Sequence, residues 1–411
     1  MINFRVRKLT TLLAMSLALL SASSIPVWAI QVKVADAPDT NLALTLEAIR
    51  SAKQLLQINI YELTSVDIVN AIAAQIQAGV EVELLIEGQP VGTLSAAAQS
   101  AENHLLKSMQ AAGKGHLYLM AGKTGGPARR FHFDHAKYTI VDSSQLLIGS
   151  ENYSPTGNPR PGSVGNRGWE VLLNDADLAR KFQALFKNDT ATSFGDVIDL
   201  TAGAPLAPSR PHPRPRPAPP TRSQFQILNA DQAFMTTSPD HSVNDILAQL
   251  NGAKIGIDIE LMTFDSQWGN TGGNSPLFDA VMAAARRGLH VRVLLNDESA
   301  FDKPGHPAKR TNHQTVDLFN QAALKEGLKL SAMISNNPAM GVDYIHNKGA
   351  LIDGTTTLIS SINWDFNSFT ANRETAVLIV GPQVFSFYES LYQKDWLASG
   401  GRNAQFRSPN P

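Results

Sequence analysis

Two stretches of the chain carry residue types that can handle a phosphate group, and the second stretch repeats the first. The first contains, in this order, His135, Lys137, Asp142, Ser150 and Asn152. The second contains, at identical spacing, His346, Lys348, Asp353, Ser361 and Asn363. A single H-x-K-x4-D match arises by chance in long chains, whereas two copies with the same S-x-N tail do not. The pair therefore indicates one functional site built from two similar parts.

The residue types in these motifs suit phosphodiester chemistry. The imidazole of His135 or His346 can act as a nucleophile or as a proton carrier. Lysine and asparagine side chains donate hydrogen bonds, which stabilise the non-bridging oxygens of a phosphoryl group. The chain contains no cysteine, no H-E-x-x-H pattern and no P-loop. We therefore expect the lysines to supply the positive charge, with no metal ion or other cofactor.

Each motif is predicted to form a hairpin. Residues 138–141 and 145–148 are apolar runs around an Asp-Ser-Ser turn, and residues 349–352 and 357–359 flank an Asp-Gly-Thr-Thr turn. Residues two apart on a strand share one face, so each hairpin brings its histidine, lysine, serine and asparagine to one end of a sheet. The two aspartates fall at the opposite end, which predicts a structural role for them.

Carboxylates that could orient the two histidines follow each motif. A histidine nucleophile needs a partner that fixes its orientation and tautomer. Glu170 and Glu374 each stand at the start of another apolar run. An Asn-Arg pair precedes each of them, at 166–167 and 372–373, although the first copy carries a longer loop at 155–168. We expect Glu170 and Glu374 to be the orienting residues.

The repeated pattern resembles that of the phospholipase D superfamily, the HKD phosphodiesterases, and the resemblance covers most of both halves of the chain. It implies an α/β fold in which two similar α-β-α sandwich halves are related by a pseudo-two-fold axis, with both motifs at their interface. It also implies two-step cleavage of a phosphodiester through a covalent phosphohistidine. One departure is Ser360, which stands where the family usually has glycine.

The resemblance also implies a role for each motif residue. One histidine attacks phosphorus, and the other protonates the leaving alcohol and then activates water or an acceptor alcohol. The resemblance favours His135 as the nucleophile and His346 as the acid and base, and the symmetry of the motifs leaves the reverse open. The two histidines need different protonation states, so we expect a bell-shaped pH–rate profile. The residues expected to hold the phosphoryl oxygens are Lys137, Lys348, Asn152 and Asn363. Ser150 and Ser361 are expected to support them.

Outside the motifs the chain alternates between helical and strand patterns, which predicts layered α/β units. The first half is predicted to contain helices at 41–55, 66–78, 94–112 and 178–186, and strands at 57–63, 80–86 and 117–120. The second half repeats this order, because residues 257–263 parallel residues 58–64 and residues 289–295 parallel residues 80–86. The repeat predicts that both motif clusters meet in one cleft.

Composition divides the chain into five segments. Residues 1–29 combine basic residues, an apolar run and a small-x-small site, which is typical of a cleaved export signal. Residues 30–200 form the predicted first half and residues 224–398 the second, with a tail at 399–411. The predicted linker, 201–223, includes eight prolines and four arginines, which favour an extended tether. We expect an exported protein, secreted or periplasmic, whose mature chain begins near Ile30.

Four functional hypotheses follow. The first is a phospholipase D that hydrolyses glycerophospholipids at a membrane surface, or transfers the phosphatidyl group to an alcohol. The second is a cardiolipin-synthase-like phosphatidyl transferase, favoured if the N-terminal segment remains as an anchor. The third is an exported nuclease, although the tandem motifs and a formal net charge of −1 argue against a nucleic-acid partner. The fourth is a non-catalytic lipid- or anion-binding protein of the cell envelope. One chain supplies a whole site, so we expect a monomer.

Overall fold

The computed structural model describes residues 29–92, 94–122, 128–203, 211–213, 225–269 and 273–402. The predicted export signal up to residue 28, most of the predicted linker and residues 403–411 of the predicted tail lie outside these ranges. None of the helices within the ranges has the length and apolar character that a membrane crossing requires. Two large mixed sheets with flanking helices make up the described chain, which confirms the predicted α/β class.

The first half contains one sheet and four helices within the described residues. Its elements are β1 (Ile30–Ala37), α1 (Asn41–Ser51), β2 (Leu55–Ile60), α2 (Val66–Gln77), β3 (Glu81–Glu87), α3 (Ala96–Ala112), β4 (His116–Met120), β5 (Lys137–Val141), β6 (Gln145–Gly149), β7 (Gly168–Asn174), α4 (Ala176–Asp189), β8 (Val197–Asp199) and β9 (Gln226–Ala230). The strand order is β8-β4-β3-β2-β5-β6-β7-β1-β9. Strand β9, which lies within the predicted second half, pairs with β1 at the edge of this first sheet.

The second half follows directly. Its elements are β10 (Gln232–Ser238), α5 (Ser242–Gly252), β11 (Gly256–Leu261), β12 (Gln267–Trp268), β13 (Gly273–Asn274), α6 (Pro276–Arg286), β14 (His290–Leu295), α7 (Thr311–Glu326), β15 (Leu330–Ile334), α8 (Asn337–Met340), β16 (Lys348–Ile352), β17 (Thr356–Ser360), α9 (Phe366–Thr370), β18 (Glu374–Val380) and α10 (Pro382–Ala398). Its large sheet has the order β10-β18-β17-β16-β11-β14-β15. Read from the other edge, this order matches β4-β3-β2-β5-β6-β7-β1 of the first sheet, so the two halves are similar, as predicted.

The match between the halves corrects one predicted alignment. Leu261 of β11 pairs with Lys348, just as Ile60 of β2 pairs with Lys137. Leu261 therefore corresponds to Ile60, a shift of two residues from the predicted alignment of 257–263 with 58–64. Side chains alternate with a period of two along a strand, so this shift keeps every apolar residue on its own face. The hydrophobic pattern could not reveal it.

Helices cover both faces of each sheet. Helices α1, α2 and α3 pack on the outer face of the first sheet, and α5, α6 and α7 on the outer face of the second. The inner faces of the two sheets share one apolar core with α4 and α10. Within that core, Trp169 of β7 and Tyr388 of α10 are fully buried, with ring centroids 4.8 Å apart. Each half is thus an α-β-α sandwich, and the shared core joins the halves.

The motif hairpins are β5–β6 and β16–β17, as the sequence predicts. Their turn aspartates adopt left-handed backbone angles, with φ of 48° at Asp142 and 55° at Asp353. The Asp142 carboxylate accepts hydrogen bonds from the backbone N–H groups of residues 53–55, at 2.8 to 2.9 Å. Asp353 does the same for residues 254–256. Each aspartate thereby ties its turn to the start of the neighbouring central strand.

Candidate active site

Two backbone crossings between the halves bring the two motif clusters together. The N–H of His135 donates to the carbonyl of Arg373, and the N–H of His346 donates to the carbonyl of Arg167, at 2.8 and 2.9 Å. These hydrogen bonds belong to short β-bridges that join the Asn-Arg segment of each half to the strand entrance of the other half's motif. Each cluster is therefore completed by backbone from the opposite half.

Buried ion pairs support both crossings. Arg373 of the second half binds Asp189 of α4, and Arg167 of the first half binds Asp395 of α10, with N–O distances of 2.9 and 2.7 Å. Each pair therefore joins one half to the other. Removing either arginine would leave its buried carboxylate uncompensated, and breaking a buried pair in this way costs about 3–5 kcal/mol. The recurrence of the arginine in the Asn-Arg sequence thus has a structural cause.

The histidine of the first motif is held by a carboxylate of the second half. Nδ1 of His135 lies 2.9 Å from both carboxylate oxygens of Glu374. Glu374 is fully buried and also accepts hydrogen bonds from the hydroxyl of Ser361, at 2.6 Å, and from the amide of Asn372, at 3.0 Å. A carboxylate on Nδ1 places the ring proton there and leaves Nε2 as the nitrogen free to react.

The histidine of the second motif is held by a residue that sequence reasoning missed. Nδ1 of His346 lies 3.1 Å from Oε2 of Glu151. Glu151 accepts further hydrogen bonds from the hydroxyl of Ser150, at 3.3 Å, and from the amide of Asn166, at 2.9 Å. The network of serine, asparagine, carboxylate and histidine is therefore the same in both clusters. Its carboxylate, however, comes from the variable position of the first S-x-N tail.

The predicted contact between Glu170 and a histidine is wrong. The Glu170 carboxyl group instead accepts a hydrogen bond from the hydroxyl of Thr45, at 2.7 Å, and burial raises its pKa to about 8. Glu170 is the third residue of β7, whereas Glu374 is the first residue of β18. Both open an apolar run in the sequence, but they occupy different strand positions and so point to different surroundings.

Gly168 is the residue that corresponds to Glu374. Gly168 begins β7 and pairs with Ala37 at the end of β1. Glu374 begins β18 and pairs with Ser238 at the end of β10, which is the counterpart of β1. In both halves this position follows an Asn-Arg pair directly. The first half therefore has no side chain at the place where the second half carries its orienting carboxylate.

Glu151 occupies the space that a side chain at position 168 would need. A Cβ atom built on Gly168 would lie 2.2 Å from Oε1 of Glu151 and 2.5 Å from Oγ of Ser150. At the position matching Glu151, the second half has Ile362, which leaves room for Glu374. Two signals in the sequence could have revealed that the first half carries its carboxylate at position 151 and not at position 168. They are the acidic residue in the S-x-N tail and the glycine after the Asn-Arg pair.

The two lysines form a buried positive centre. Nζ of Lys137 donates to the carbonyl of His135 at 2.7 Å, and Nζ of Lys348 donates to the carbonyl of His346 at 2.5 Å. Burial lowers the pKa of Lys137 to about 8. Burial and repulsion from Lys137 lower the pKa of Lys348 to about 7. Two ammonium groups held close together out of water are unfavourable, and a bound phosphate anion would relieve that cost.

The two asparagines leave polar atoms free for a ligand. Oδ1 of Asn152 and Oδ1 of Asn363 are buried and have no hydrogen-bond partner in the part of the chain that the structure describes. A buried polar group without a partner costs about 1–3 kcal/mol. An amide can present its oxygen or, after turning over, its NH2 group, so both side chains are available to a phosphoryl group.

The two histidines differ in charge environment and exposure. Burial lowers the pKa of His346 to about 4, and the largest contribution from a neighbouring charge is repulsion by Lys348. Burial also lowers the pKa of His135, but there the largest contribution from a charge is attraction to Glu374, which opposes burial. The His135 side chain is 15% exposed and that of His346 6%. His135 is thus the easier one to protonate and the more accessible to water.

Comparisons with known proteins match both halves. The family model described as cardiolipin synthase, PLD-like domain, matches residues 45–190 and 246–396, one stretch in each half. The crystal structure of phosphatidylserine synthase from Haemophilus influenzae is similar, with a TM-score of 0.62 over 88% of this chain and 86% of that chain, at 14% identity. At that identity the structural likeness concerns the fold alone.

Two curated relatives match part of the chain. Mitochondrial cardiolipin hydrolase of Chlamydomonas reinhardtii is 25% identical over 123 residues, which are 30% of this chain and 47% of that protein. Cardiolipin synthase A of Pseudomonas aeruginosa is 30% identical over 132 residues, which are 30% of this chain and 24% of that protein. The matched part thus spans less than half the length of each of these relatives.

Proposed function

Because the chain belongs to the phospholipase D-like domain family of the cardiolipin synthase type, we propose that it is a phosphodiesterase that cleaves glycerophospholipids through a covalent phosphohistidine. One observation carries the proposal: the two clusters meet where the halves join, and in each a buried carboxylate from the opposite half holds Nδ1 of a histidine. The free Nε2 atoms can then serve as attacking atom and as proton carrier, with buried lysines and amides beside them.

The proposed reaction has two steps. In the first, Nε2 of a neutral histidine attacks phosphorus, the bond from phosphorus to the alcohol oxygen breaks, and the protonated second histidine gives that oxygen its proton. In the second, the second histidine takes a proton from water, or from an acceptor alcohol, whose oxygen attacks phosphorus and displaces the first histidine. The non-bridging oxygens are held in both transition states by Lys137, Lys348, Asn152 and Asn363.

We assign the attack to His346 and the proton transfers to His135, the reverse of the assignment that the sequence favours. A nucleophile must be neutral, and a pKa of about 4 keeps His346 neutral. The acid must be protonated; burial lowers the pKa of His135, but the attraction of Glu374 opposes burial and favours the protonated form there. The proton carrier must also meet incoming water, which accords with the greater exposure of the His135 side chain, 15% against 6%.

A product assay on the purified protein tests the proposed function. Phosphatidylcholine, phosphatidylglycerol and single-stranded DNA are offered in separate reactions without added metal. Phosphatidic acid from either lipid is the expected product. Cleaved DNA beside intact lipid would overturn the choice of substrate class, and no turnover of any of the three would leave a binding protein as the better description. The double variant His135→Ala/His346→Ala is the control for contaminating activity.

Phosphatidyl transfer is the second candidate function. It is favoured by the matches to a domain named for cardiolipin synthase and to cardiolipin synthase A of Pseudomonas aeruginosa. The phosphohistidine is common to both reactions, so they differ only in whether water or an alcohol attacks it. Cardiolipin formed from phosphatidylglycerol, in excess over phosphatidic acid, would identify the transferase.

We further propose that the protein is exported, loses residues 1–29 and acts as a monomer at a membrane surface. Strand β1 begins at Ile30, directly after the predicted cleavage site. N-terminal sequencing of protein recovered outside the cytoplasm should begin near Ile30. An intact N-terminus on membrane-bound protein would support an anchor instead. Light scattering on the mature chain would test the monomer.

A further inference from the structure

A cavity lies beside His135 in the first half. Its volume is about 240 Å³, and it opens between the ends of β2 and β3 and the start of α3. Its polar walls are Tyr61, Glu62, Glu87 and Glu102, and the rest of the lining is mostly apolar. The Tyr61 ring belongs both to this cavity and to the reacting centre, because its centroid lies 4.8 Å from that of the His135 ring.

Glu102 is the unusual residue of this cavity. Its side chain projects from α3, it is only 8% exposed, and its Oε1 atom has no hydrogen-bond partner within the described residues. Burial raises its pKa to about 7. Carboxyl groups are rarely buried without a partner, because the ionised form loses its hydration and gains nothing in return. A cation entering the cavity would supply the missing partner.

Among the other polar walls, the charge of Glu87 is paired within the protein, whereas Glu62 and Tyr61 accept hydrogen bonds from neutral donors, the Thr64 hydroxyl and the Val91 N–H. Glu87 binds Arg129, with an N–O distance of 2.5 Å, and also accepts the backbone N–H of Asp134. Its charge is therefore neutralised within the protein. Glu62 is half-buried and adds a second carboxylate to the wall. The ring of Tyr61 already has one cation over it, Nζ of Lys137 at 5.4 Å from the centroid, and the part of the ring that lines the cavity can contact a quaternary or primary ammonium group.

The second half has no such wall at the matching positions. From the correspondence of Leu261 with Ile60, Tyr61 is matched by Met262 and Glu62 by Thr263. Glu87 is matched by Asn296, which accepts the backbone N–H of Ile345 as Glu87 accepts that of Asp134. At these three positions the first half carries an aromatic ring and two carboxylates, and the second half carries methionine, threonine and asparagine, although the motifs themselves are symmetric.

We propose that this cavity binds the alcohol that leaves phosphorus, and that it selects an alcohol bearing a positively charged amine. The inference rests on the proposed function and adds to it the class of the leaving group, an amino alcohol such as choline or ethanolamine. With the amine between Tyr61 and Glu102, the short carbon chain of such an alcohol keeps its oxygen beside His135. His135 then donates its proton to that oxygen as the bond to phosphorus breaks. A neutral alcohol such as glycerol gains no ionic contact there.

Glu102→Gln tests the inference, because it keeps the size of the side chain and removes its charge. The measurement is kcat/KM for dihexanoyl phosphatidylcholine and for dihexanoyl phosphatidylglycerol, both below their micelle concentrations so that interfacial charge plays no part. We expect the ratio of the two values to fall by about tenfold or more in the variant, since a desolvated charge contact is lost. Asp317→Asn removes one acidic charge from the exposed face of α7, in the second half, and should leave the ratio unchanged.

A binding measurement separates this inference from the proposed function. Choline and 3,3-dimethylbutanol have the same shape and differ in the positive charge. Choline should stabilise the wild-type protein against thermal unfolding more than the neutral alcohol does, and Glu102→Gln should remove the difference. If choline binds in this way but no phosphodiester is cleaved, the proposed function fails and the cation site stands. If lipid is cleaved and the variant changes neither the selectivity ratio nor the choline effect, the inference is overturned.

Discussion

Each half of the chain supplies the carboxylate that contacts the motif histidine of the other half, and the two halves supply it from different parts of their sequence. In the second half the carboxylate begins a strand, as Glu374. In the first half that position is Gly168, and the carboxylate comes from Glu151 in the loop after the hairpin. The serine and asparagine donors that fix the carboxylate are retained in both. The comparison teaches that the position of the carboxylate relative to the histidine is preserved, and its place in the chain is not.

The largest expected effect distinguishes the two histidines. His135→Ala and His346→Ala should each lower kcat on a natural phospholipid by about 10⁴-fold, because each step needs both groups. A p-nitrophenyl phosphodiester has a leaving group that departs without a proton. On that substrate His135→Ala should still release a burst of p-nitrophenol as the phosphoenzyme forms, and His346→Ala should not. The opposite pattern would return the nucleophilic role to His135.

Removal of either orienting charge should have the next largest effect. Glu151→Gln and Glu374→Gln keep the shape of the side chain but not its charge, and each should lower kcat by at least about 100-fold. Steady-state kinetics on both variants checks this. A fall of that size in one and no change in the other would show that the two carboxylates do not play matching roles.

Moving the carboxylate of the first half from position 151 to position 168 tests the comparison further. Gly168→Glu alone should destabilise the protein, because the new Cβ would lie 2.2 Å from Oε1 of Glu151. The double variant Glu151→Ile/Gly168→Glu copies Ile362 and Glu374 of the second half. We expect it to recover about tenfold of the activity that Glu151→Ile loses, by restoring the carboxylate to Nδ1 of His346. Thermal melts and kcat measured on all three variants would show whether the clash and the rescue occur.

The pH profile of kcat/KM reports the free enzyme and should be bell-shaped. Activity should rise as His346 loses its proton, near its pKa of about 4. It should fall as His135, the proposed proton donor, loses its proton, because burial holds its pKa below the usual value. It should fall further as Lys348 loses its proton above its pKa of about 7, because the neutral amine no longer attracts the phosphodiester. A bound phosphate favours the charged lysine, so the alkaline limb of kcat should lie at higher pH than that of kcat/KM. A monotonic profile between about pH 4 and about pH 10 would contradict this prediction.

The smallest effect is expected at Glu170. Its carboxyl group contacts Thr45 and not His346, and its raised pKa of about 8 keeps it largely uncharged at neutral pH. Glu170→Gln should therefore change kcat by no more than about twofold, within the range of substitutions that do not touch the reacting groups. A loss comparable to that of Glu151→Gln would mean that the carboxylate reaches the histidine after all.

Local sequence patterns predicted those parts of the site in which the contributing residues are close together in the sequence. Histidine and lysine two residues apart on a strand share a face, and a turn at Asp142 or Asp353 returns the chain beside them. Both hairpins follow from that spacing alone. The fold class and the two similar halves followed from the repeat of these hairpins among alternating helices and strands.

Contacts between the halves could not be predicted from local sequence patterns. Glu151 meets His346 across 195 positions of sequence, and its neighbours in the chain give no sign of that partner. Glu170 was preferred because it opens an apolar run, although it lies two positions further along the strand than Gly168. Strand β9 joins the first sheet only after the Pro-rich segment, and pairing of this kind depends on the whole fold rather than on local composition.

The crossed backbone pairs, His135 with Arg373 and His346 with Arg167, also bear on how such a chain can change over generations. If two identical halves met as a symmetric dimer, any substitution would strike both reacting centres at once, and a glycine in place of Glu374 would remove both orienting carboxylates together. Once the halves are fused in one gene, a substitution alters one cluster at a time, and a second substitution in the same half can restore the lost contact. The pair of Gly168 and Glu151, beside Glu374 in the other half, is the kind of difference between halves that fusion permits.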